Sequence, residues 1–267
     1  MNWREIRSNF LKWLESKNYN EEYAKRIVIE LDRHVDLISI PLDVAMVFRG
    51  LTHGQQHNLN RAVRAFFNFY EEAVGVDERY LRAFRKAIPR DVVGVDLRMA
   101  SETEIISSLR RLPEAPLKYQ GFYNLLLDSG LRITEAVRLI NDFKDVDEVG
   151  GFYRCSLGYF RGSKRAYFAY FTNETLRLIK AVDCKIFART AGHYFSKRRY
   201  VPGKYLRKYA FDKMIELEIP ESVADFIEGR VPQRIGAKHY MALARQAEKY
   251  YPRYAEYITR LRQKALN

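Results

Sequence analysis

The chain has 267 residues, room for one large domain or two ordinary ones, and its 47% hydrophobic content excludes a disordered chain. No run of eighteen apolar residues is present, which excludes a membrane-spanning helix as a reading of the sequence. The formal charge is +13 and unevenly placed: residues 1–99 hold 16 Lys+Arg against 14 Asp+Glu, the remainder 30 against 19, so a polyanion-binding surface is expected in the later part.

The first ten residues, MNWREIRSNF, are charged and amphipathic and lack the apolar core of a signal peptide. Residues 1–90 read as a bundle of about four helices. Phe10, Leu11, Trp13 and Leu14 recur at helical spacing, as do Ile27, Ile29 and Leu31 with Val28 behind them. A third helix over 55–74 carries Leu59, Val63, Phe66, Phe67, Phe69 and Tyr70, with Arg61, Arg64 and Asn68 on its polar side. Ile88-Pro89-Arg90 stops the last helix, residues 91–100 read as a linker, and Ser101-Glu-Thr-Glu104 is a capping box that opens a second domain over 101–267.

In that second domain, 118–128 reads as a helix with Leu125 and Leu126 inward, ended by Ser129-Gly130. Leu131-Arg132-Ile133-Thr134-Glu135 opens the next helix, which runs through Ile140. Residues 152–160 and 166–171 are aromatic and strand-like, and Arg161-Gly-Ser-Lys-Arg165 between them reads as a hairpin turn. Helices are expected at 173–182, 204–216, 221–228 and 233–248, the last after Pro232, with a basic loop over 192–203. The fold class is therefore mainly α with a small β-sheet. Two cysteines, Cys155 and Cys184, are too few for a disulfide framework or a four-cysteine zinc site, and they fit a reducing cytoplasm, the expected location.

The common nucleotide and metalloprotease motifs are absent from the sequence. His53 and His57 stand at i, i+4 but lack a third ligand nearby, so surface or packing roles are favoured over a metal. His239 adjoins Tyr240, yet neighbours on a helix diverge by about 100°, and a structural or phosphate-facing role is expected. What remains is an ordered series of basic residues followed by a tyrosine. Gly130-Leu131-Arg132 presents an arginine at a helix start, with Glu135 one turn along the same face. Lys164 lies in the basic hairpin between Arg161 and Arg165. Lys204-Tyr-Leu-Arg207 places two cations at i and i+3, Ile227-Glu-Gly-Arg230 follows, and Tyr240 comes ten residues later. One tyrosine among nineteen means little alone; the order and spacing single it out. Taken separately, each piece has an ordinary alternative: a surface arginine at a helix start, or a solvated basic turn.

In this order and spacing the chain resembles the tyrosine recombinase (phage-type integrase) family, most closely the integrases of archaeal viruses and plasmids. By motif the resemblance covers about 115–245, and over 1–90 only general helical character. It implies an N-terminal helical core-binding domain that clamps DNA, and a C-terminal α+β catalytic domain. Arg132 and Arg207 would hold the scissile phosphate, with Arg230 as a third donor and Glu135 as acidic support. Lys164 would be the general acid for the leaving 5′-oxygen, and Tyr240 the nucleophile. Such chemistry needs planar cationic forks where charge grows on the non-bridging oxygens of the phosphate. The implied product is a 3′-phosphotyrosyl link with a free 5′-hydroxyl, formed without cofactor or metal.

Lys204 and Arg230 stand where most members carry histidines. That leaves the general base open between a neutral Lys204 and water. Arg161, Arg165, Lys197, Arg198, Arg199 and Lys208 are expected to contact DNA, with Tyr194 and Tyr200 interleaved among the basic residues. The implied partner is double-stranded DNA with a specific site. A homotetramer would form on paired sites, from a monomer in free solution. A type IB-like topoisomerase and a non-catalytic helical DNA-binding regulator are the alternatives; the latter would keep the basic surface without needing Tyr240. For residues 241–267, docking on a neighbouring protomer and packing at home both stay open.

Overall fold

The computed structural model describes residues 1–91, 94–161, 164–230 and 240–267, with the side chains of these apart from 159–161, 164, 165, 240 and 241. Two compact units divide the chain, Met1–Asp96 and Leu97–Asn267.

The first unit holds helices α1 (Trp3–Ser16), α2 (Glu21–His34), α3 (Pro41–Val47), α4 (His53–Glu72) and α5 (Glu78–Ala87). Local chemistry sets their starts: Asn2, Asn20 and Asp77 each accept backbone N–H groups of the first turn that have no helical partner. Trp3, Phe10, Phe66 and Phe67 form the centre of the core, with the Trp3 and Phe10 rings edge-on at 5.2 Å. The facing of α2 differs from expectation. Ile27, Val28 and Leu31 are buried, whereas Ile29 is exposed, because the inward stripe follows i, i+1, i+4 and not alternate residues. His53 is exposed and His57 pairs with Asp91.

The second unit is built around α7 (Leu117–Ser129), which is buried over most of its circumference. A helix apolar on all sides belongs inside, and α7 accordingly packs against α8 (Ile133–Asn141), α9 (Asn173–Lys180), α11 (Gly203–Glu216), α13 (Tyr240–Leu266) and strand β3 (Lys164–Phe171). The remaining helices are α6 (Glu102–Arg111), whose capping box of Ser101 and Glu104 forms as expected, α10 (Ala188–Lys197) and α12 (Glu221–Ile227). Strands β1 (Asp147–Val149), β2 (Phe152–Arg161) and β3 make one antiparallel sheet in the order β1-β2-β3. The expected fold class, mainly helical with a small sheet, is the one observed.

Three local expectations change. Strand β1 was not anticipated, since three residues rich in acid carry no alternating pattern. The β2 and β3 strands extend through Arg161 and from Lys164, so only residues 162–163 lie between them, outside the described residues. The stretch expected as a basic loop over 192–203 is helical up to Lys197. Ala191 and Phe195, one turn apart, are buried, and Phe195 meets Phe122 and Tyr123 of α7; Gly192 and the run of cations hide that signal in the sequence.

Residues 241–267 pack at home. In α13, Tyr251 and Tyr254 donate hydroxyl hydrogen bonds to the carbonyls of Asp128 (3.0 Å) and Leu127 (2.7 Å), at the end of α7 where helical carbonyls lack partners. Nearer its end, buried Arg262 reaches Asp128 (2.5 Å), Asn124 (2.8 Å), Thr172 (2.9 Å) and Thr175 (3.1 Å). Asp128 in turn accepts from the Thr172 amide and hydroxyl, both at 2.8 Å. The last turn of α7 is thus tied to α13 and to the start of α9 just before the chain reaches Arg132.

Candidate active site

Two glycine turns frame the site. Gly130 ends α7 in the left-handed region (φ 59°), and Gly229 follows α12 in the same conformation (φ 71°). Both turns also lack room for a side chain. A Cβ on Gly130 would stand 2.6 Å from Oε1 of Glu228, and one on Gly229 would stand 2.7 Å from the Ala166 Cβ of β3.

Three arginines meet at these turns. Arg132 takes the extended position just ahead of α8, where its backbone N–H (2.9 Å) and its Nη1 (2.8 Å) both donate to the buried carboxylate of Glu135. The same Nη1 donates to the Gly229 carbonyl at 2.9 Å. Arg207, from the middle of α11, donates through Nη1 to the carbonyls of Gly130 and Glu228, each at 2.7 Å, and so joins the two turns. Arg230 closes the group. Its Nη2 lies 3.0 Å from Oε2 of Glu228, its Nη1 donates to Asp225 at 3.3 Å, and its guanidinium stands over the Phe211 ring at 4.7 Å.

Burial governs the electrostatics. The Glu228 side chain is 0% exposed, and Oε2 lies 3.5 Å from Nε of Arg207, yet among the described residues neither carboxylate oxygen accepts a hydrogen bond. Loss of hydration pushes its pKa up to about 7, against the opposing pull of Arg207 and Arg230. Burial likewise lowers Arg207 to about 10; Glu228 opposes the shift, and the neighbouring Arg132 and Arg230 add to it. Arg207 stays protonated at neutral pH, and its buried Nη2 has no acceptor among the described residues. Arg132 and Arg230 keep more of their side chains exposed than Arg207, 26% and 38% against 12%, so the group is open on their side. Such an arrangement can hold an anion with bidentate oxygens.

The structure brings Arg132, Glu135, Arg207 and Arg230 together. Lys204 is exposed on the first turn of α11, one turn before Arg207, with its amino group 5.7 Å from the Tyr205 ring centre. Lys164 opens β3, its backbone opposite Arg161, with Arg165 opposite Phe160. The side chains of Arg161, Lys164 and Arg165 lie outside the described residues. Tyr240 begins α13, and its side chain also lies outside them, as do Pro232 and His239.

Lys197, Arg198 and Arg199 are exposed at and beyond the end of α10, where Arg111 donates to the carbonyls of Arg198 (3.1 Å) and Arg199 (2.9 Å). The guanidinium of Arg198 covers Tyr194 at 4.3 Å. Lys208 donates to the Arg98 carbonyl at 3.0 Å. Tyr200 does not join this surface: it is buried, and its hydroxyl donates to the Arg111 carbonyl at 2.9 Å. Among the described residues no group of three or more His, Cys, Asp or Glu side chains could hold a metal.

Sequence reasoning missed Glu228 and Asp225. Glu228 stands inside the quoted Ile227-Glu-Gly-Arg230 stretch and Asp225 two residues before it, and neither was singled out. The visible signal is two acids, five and two residues before the glycine-preceded Arg230.

Residues 98–257 match the family described as archaeal phage integrase. No curated protein matches the sequence significantly. Among solved structures, the chain is similar to a lambda integrase (75-356) dimer bound to a COC' core site, with a TM-score of 0.67 and 14% identity over 88% of this chain and 97% of that one. It is also similar to a lambda integrase tetramer bound to a Holliday junction, with a TM-score of 0.67 and 13% identity over 88% of this chain and 79% of that one. At these identities the likeness is one of fold.

Proposed function

The chain belongs to the archaeal phage integrase family, and from that premise we propose that it is a site-specific DNA recombinase acting through a 3′-phosphotyrosyl intermediate. The observation that carries this reading is the meeting of Arg132, Arg207 and Arg230, drawn from three separate segments, around the Gly130 and Gly229 turns. Their guanidiniums hold the non-bridging oxygens of the scissile phosphate, where negative charge grows in the pentacoordinate transition state. Loss of one such donor lowers the rate on the order of 10²–10³.

Tyr240 attacks the phosphorus, the bond to the 5′-oxygen breaks, and Lys164 supplies the proton to that oxygen. The ordinary pKa of a tyrosine is about 10, so attack near neutrality needs a nearby cation or base, a role that falls to the arginine group. Its proton passes to Lys204 in the neutral form or to water. The phosphotyrosyl ester conserves the energy of the broken phosphodiester, so rejoining needs neither ATP nor metal. Arg161, Arg165, Lys197, Arg198, Arg199 and Lys208 contact the DNA backbone. The 1–90 bundle acts as the core-binding domain, 91–100 as its linker and 101–267 as the catalytic domain. The lambda integrase structures hold core-site DNA as a dimer and a Holliday junction as a tetramer. By that likeness four copies of this chain assemble on paired sites.

The test is a suicide duplex, nicked so that the cleaved strand diffuses away. The expected result is a covalent protein–DNA adduct on a denaturing gel that is absent in Tyr240→Phe. An adduct that persists in Tyr240→Phe, or none with any duplex the protein binds, would overturn the mechanism.

A further inference from the structure

The reaction gives no role to Glu228, the carboxylate at the buried end of the arginine group. It is fully buried, directly after α12, in space left by the missing side chain of Gly130. A buried carboxylate ordinarily accepts two or more hydrogen bonds, and one that accepts none calls for an account. Here, among the described residues, neither oxygen has a hydrogen-bond partner, although Oε2 stands 3.0 Å from Nη2 of Arg230 in an ion pair, and Nη2 of Arg207 lacks an acceptor. The charged groups around it are Arg132 and Glu135 from α8, Arg207 from α11, Asp225 from α12 and Arg230 beyond it.

We propose that Glu228 is a positioning residue: an internal anion that holds the Arg207 and Arg230 guanidiniums in place before DNA arrives, and that takes up one proton when the phosphodiester enters. The inference rests on the phosphate-binding reading above. Three guanidiniums at one point repel each other, and Glu135 and Asp225 each engage only one of them directly. Glu228 lies beside two, Arg207 and Arg230, at the buried end of the group, while Arg132 and Arg230 keep exposed faces for a ligand.

A phosphodiester brings a second anion to the same cations. A nearby like charge disfavours an ionised carboxyl further. Burial already leaves Glu228 near the midpoint of its titration at neutral pH, so a small further rise protonates it. The proton comes from solvent and forms one O–H bond on the carboxyl; no other bond changes. The site thereby exchanges an internal anion for the DNA phosphate.

Proton uptake on binding has a direct readout. The full-length Tyr240→Phe protein, which stops short of cleavage, is titrated calorimetrically at pH 8 with a duplex that the protein itself selects from a random-sequence pool. Buffers of different ionisation enthalpy report the protons exchanged. The expected result is an uptake of about half to one proton per site, with affinity falling up to about tenfold per pH unit above neutrality. Glu228→Gln, introduced on the same background, should bind with no such uptake and a flat pH profile. An uptake unchanged in Glu228→Gln, or none in its parent, overturns the proposal.

An infrared difference spectrum on DNA binding supplies a second readout that needs no Glu228 variant. A new protonated-carboxyl C=O band supports the proposal, and its absence contradicts it. The two readings fail separately: an adduct with suicide DNA but no proton uptake removes the role of Glu228 alone, whereas uptake without an adduct removes the cleavage reaction and leaves the phosphate site.

Discussion

Replacing Arg262 tests whether the C-terminal helix is anchored as the structure describes. The Arg262 side chain is 6% exposed and Asp128 beneath it 0%, and the pair is separated by 2.5 Å. Arg262 also donates to Asn124, Thr172 and Thr175. Arg262→Met keeps much of the length of the side chain and removes every one of these bonds. Asp128 is then left as a buried carboxylate whose donors among the described residues are the Thr172 amide and hydroxyl. Breaking a buried pair in this way costs about 3–5 kcal/mol, a large part of the ~5–15 kcal/mol typical of a domain. Removing the charge on the other side as well, in Arg262→Met with Asp128→Asn, should recover part of that loss, with a coupling of about 1–3 kcal/mol. Denaturant unfolding, followed on the transition of the second unit, measures both quantities. Hydrogen exchange adds the location, since amides of α13 from about Tyr251 onward should lose protection first. A cost below about 1 kcal/mol for Arg262→Met, with α13 still protected, would refute the reasoning and make the network incidental.

The remaining predictions concern the site itself. The folded pKa of Glu228, about 7, lies above its ordinary 4.5, so the fold binds this proton more tightly than the unfolded chain. Its contribution is therefore fully present below about pH 4.5 and is lost as pH rises through 7, a change of about 3 kcal/mol. Glu228→Gln should flatten that part of the stability–pH curve and leave the variant the more stable protein at pH 8, read by thermal unfolding across the range. Gly229→Ala should destabilise by about 2–4 kcal/mol, from left-handed strain plus the clash with Ala166. It should also lower adduct formation by moving the carbonyl that holds Arg132; unchanged unfolding would contradict the close approach. Lys197→Ala and Arg199→Ala should each reduce the slope of log affinity against log salt by about one, measured on duplex DNA. Lys164→Ala should slow cleavage, and a bridging 5′-sulfur leaving group should restore it; failure of that rescue removes Lys164 as the acid.

Much of this molecule is local in origin and could be read from the chain. Ser101 and Glu104 cap α6 because the bonds they make span three residues. Gly130 ends α7 because a left-handed residue favours glycine wherever the helix lies. The order Arg132, Lys164, Lys204-x-x-Arg207, Arg230, Tyr240 is likewise a property of the sequence, and it was enough to indicate the family. Where local pattern is weak the reading failed: β1 has three residues, and α10 buries only Ala191 and Phe195 fully, just ahead of the basic run 197–199.

Tertiary structure decided what depends on residues far apart in the chain. Arg132 and Gly229 are 97 positions apart, Arg207 and Gly130 are 77, and Asp128 and Arg262 are 134, so no periodicity links them. The burial of Glu228 between two arginines, the burial of Tyr200 away from the basic surface, and the packing of α13 on its own chain belong to this class. The sequence alone carries the placement of the charges and the capping signals that open helices such as α6. Only the folded chain decided which of those charges share one low-dielectric site, because desolvation and close approach are properties of packed elements and not of neighbouring residues.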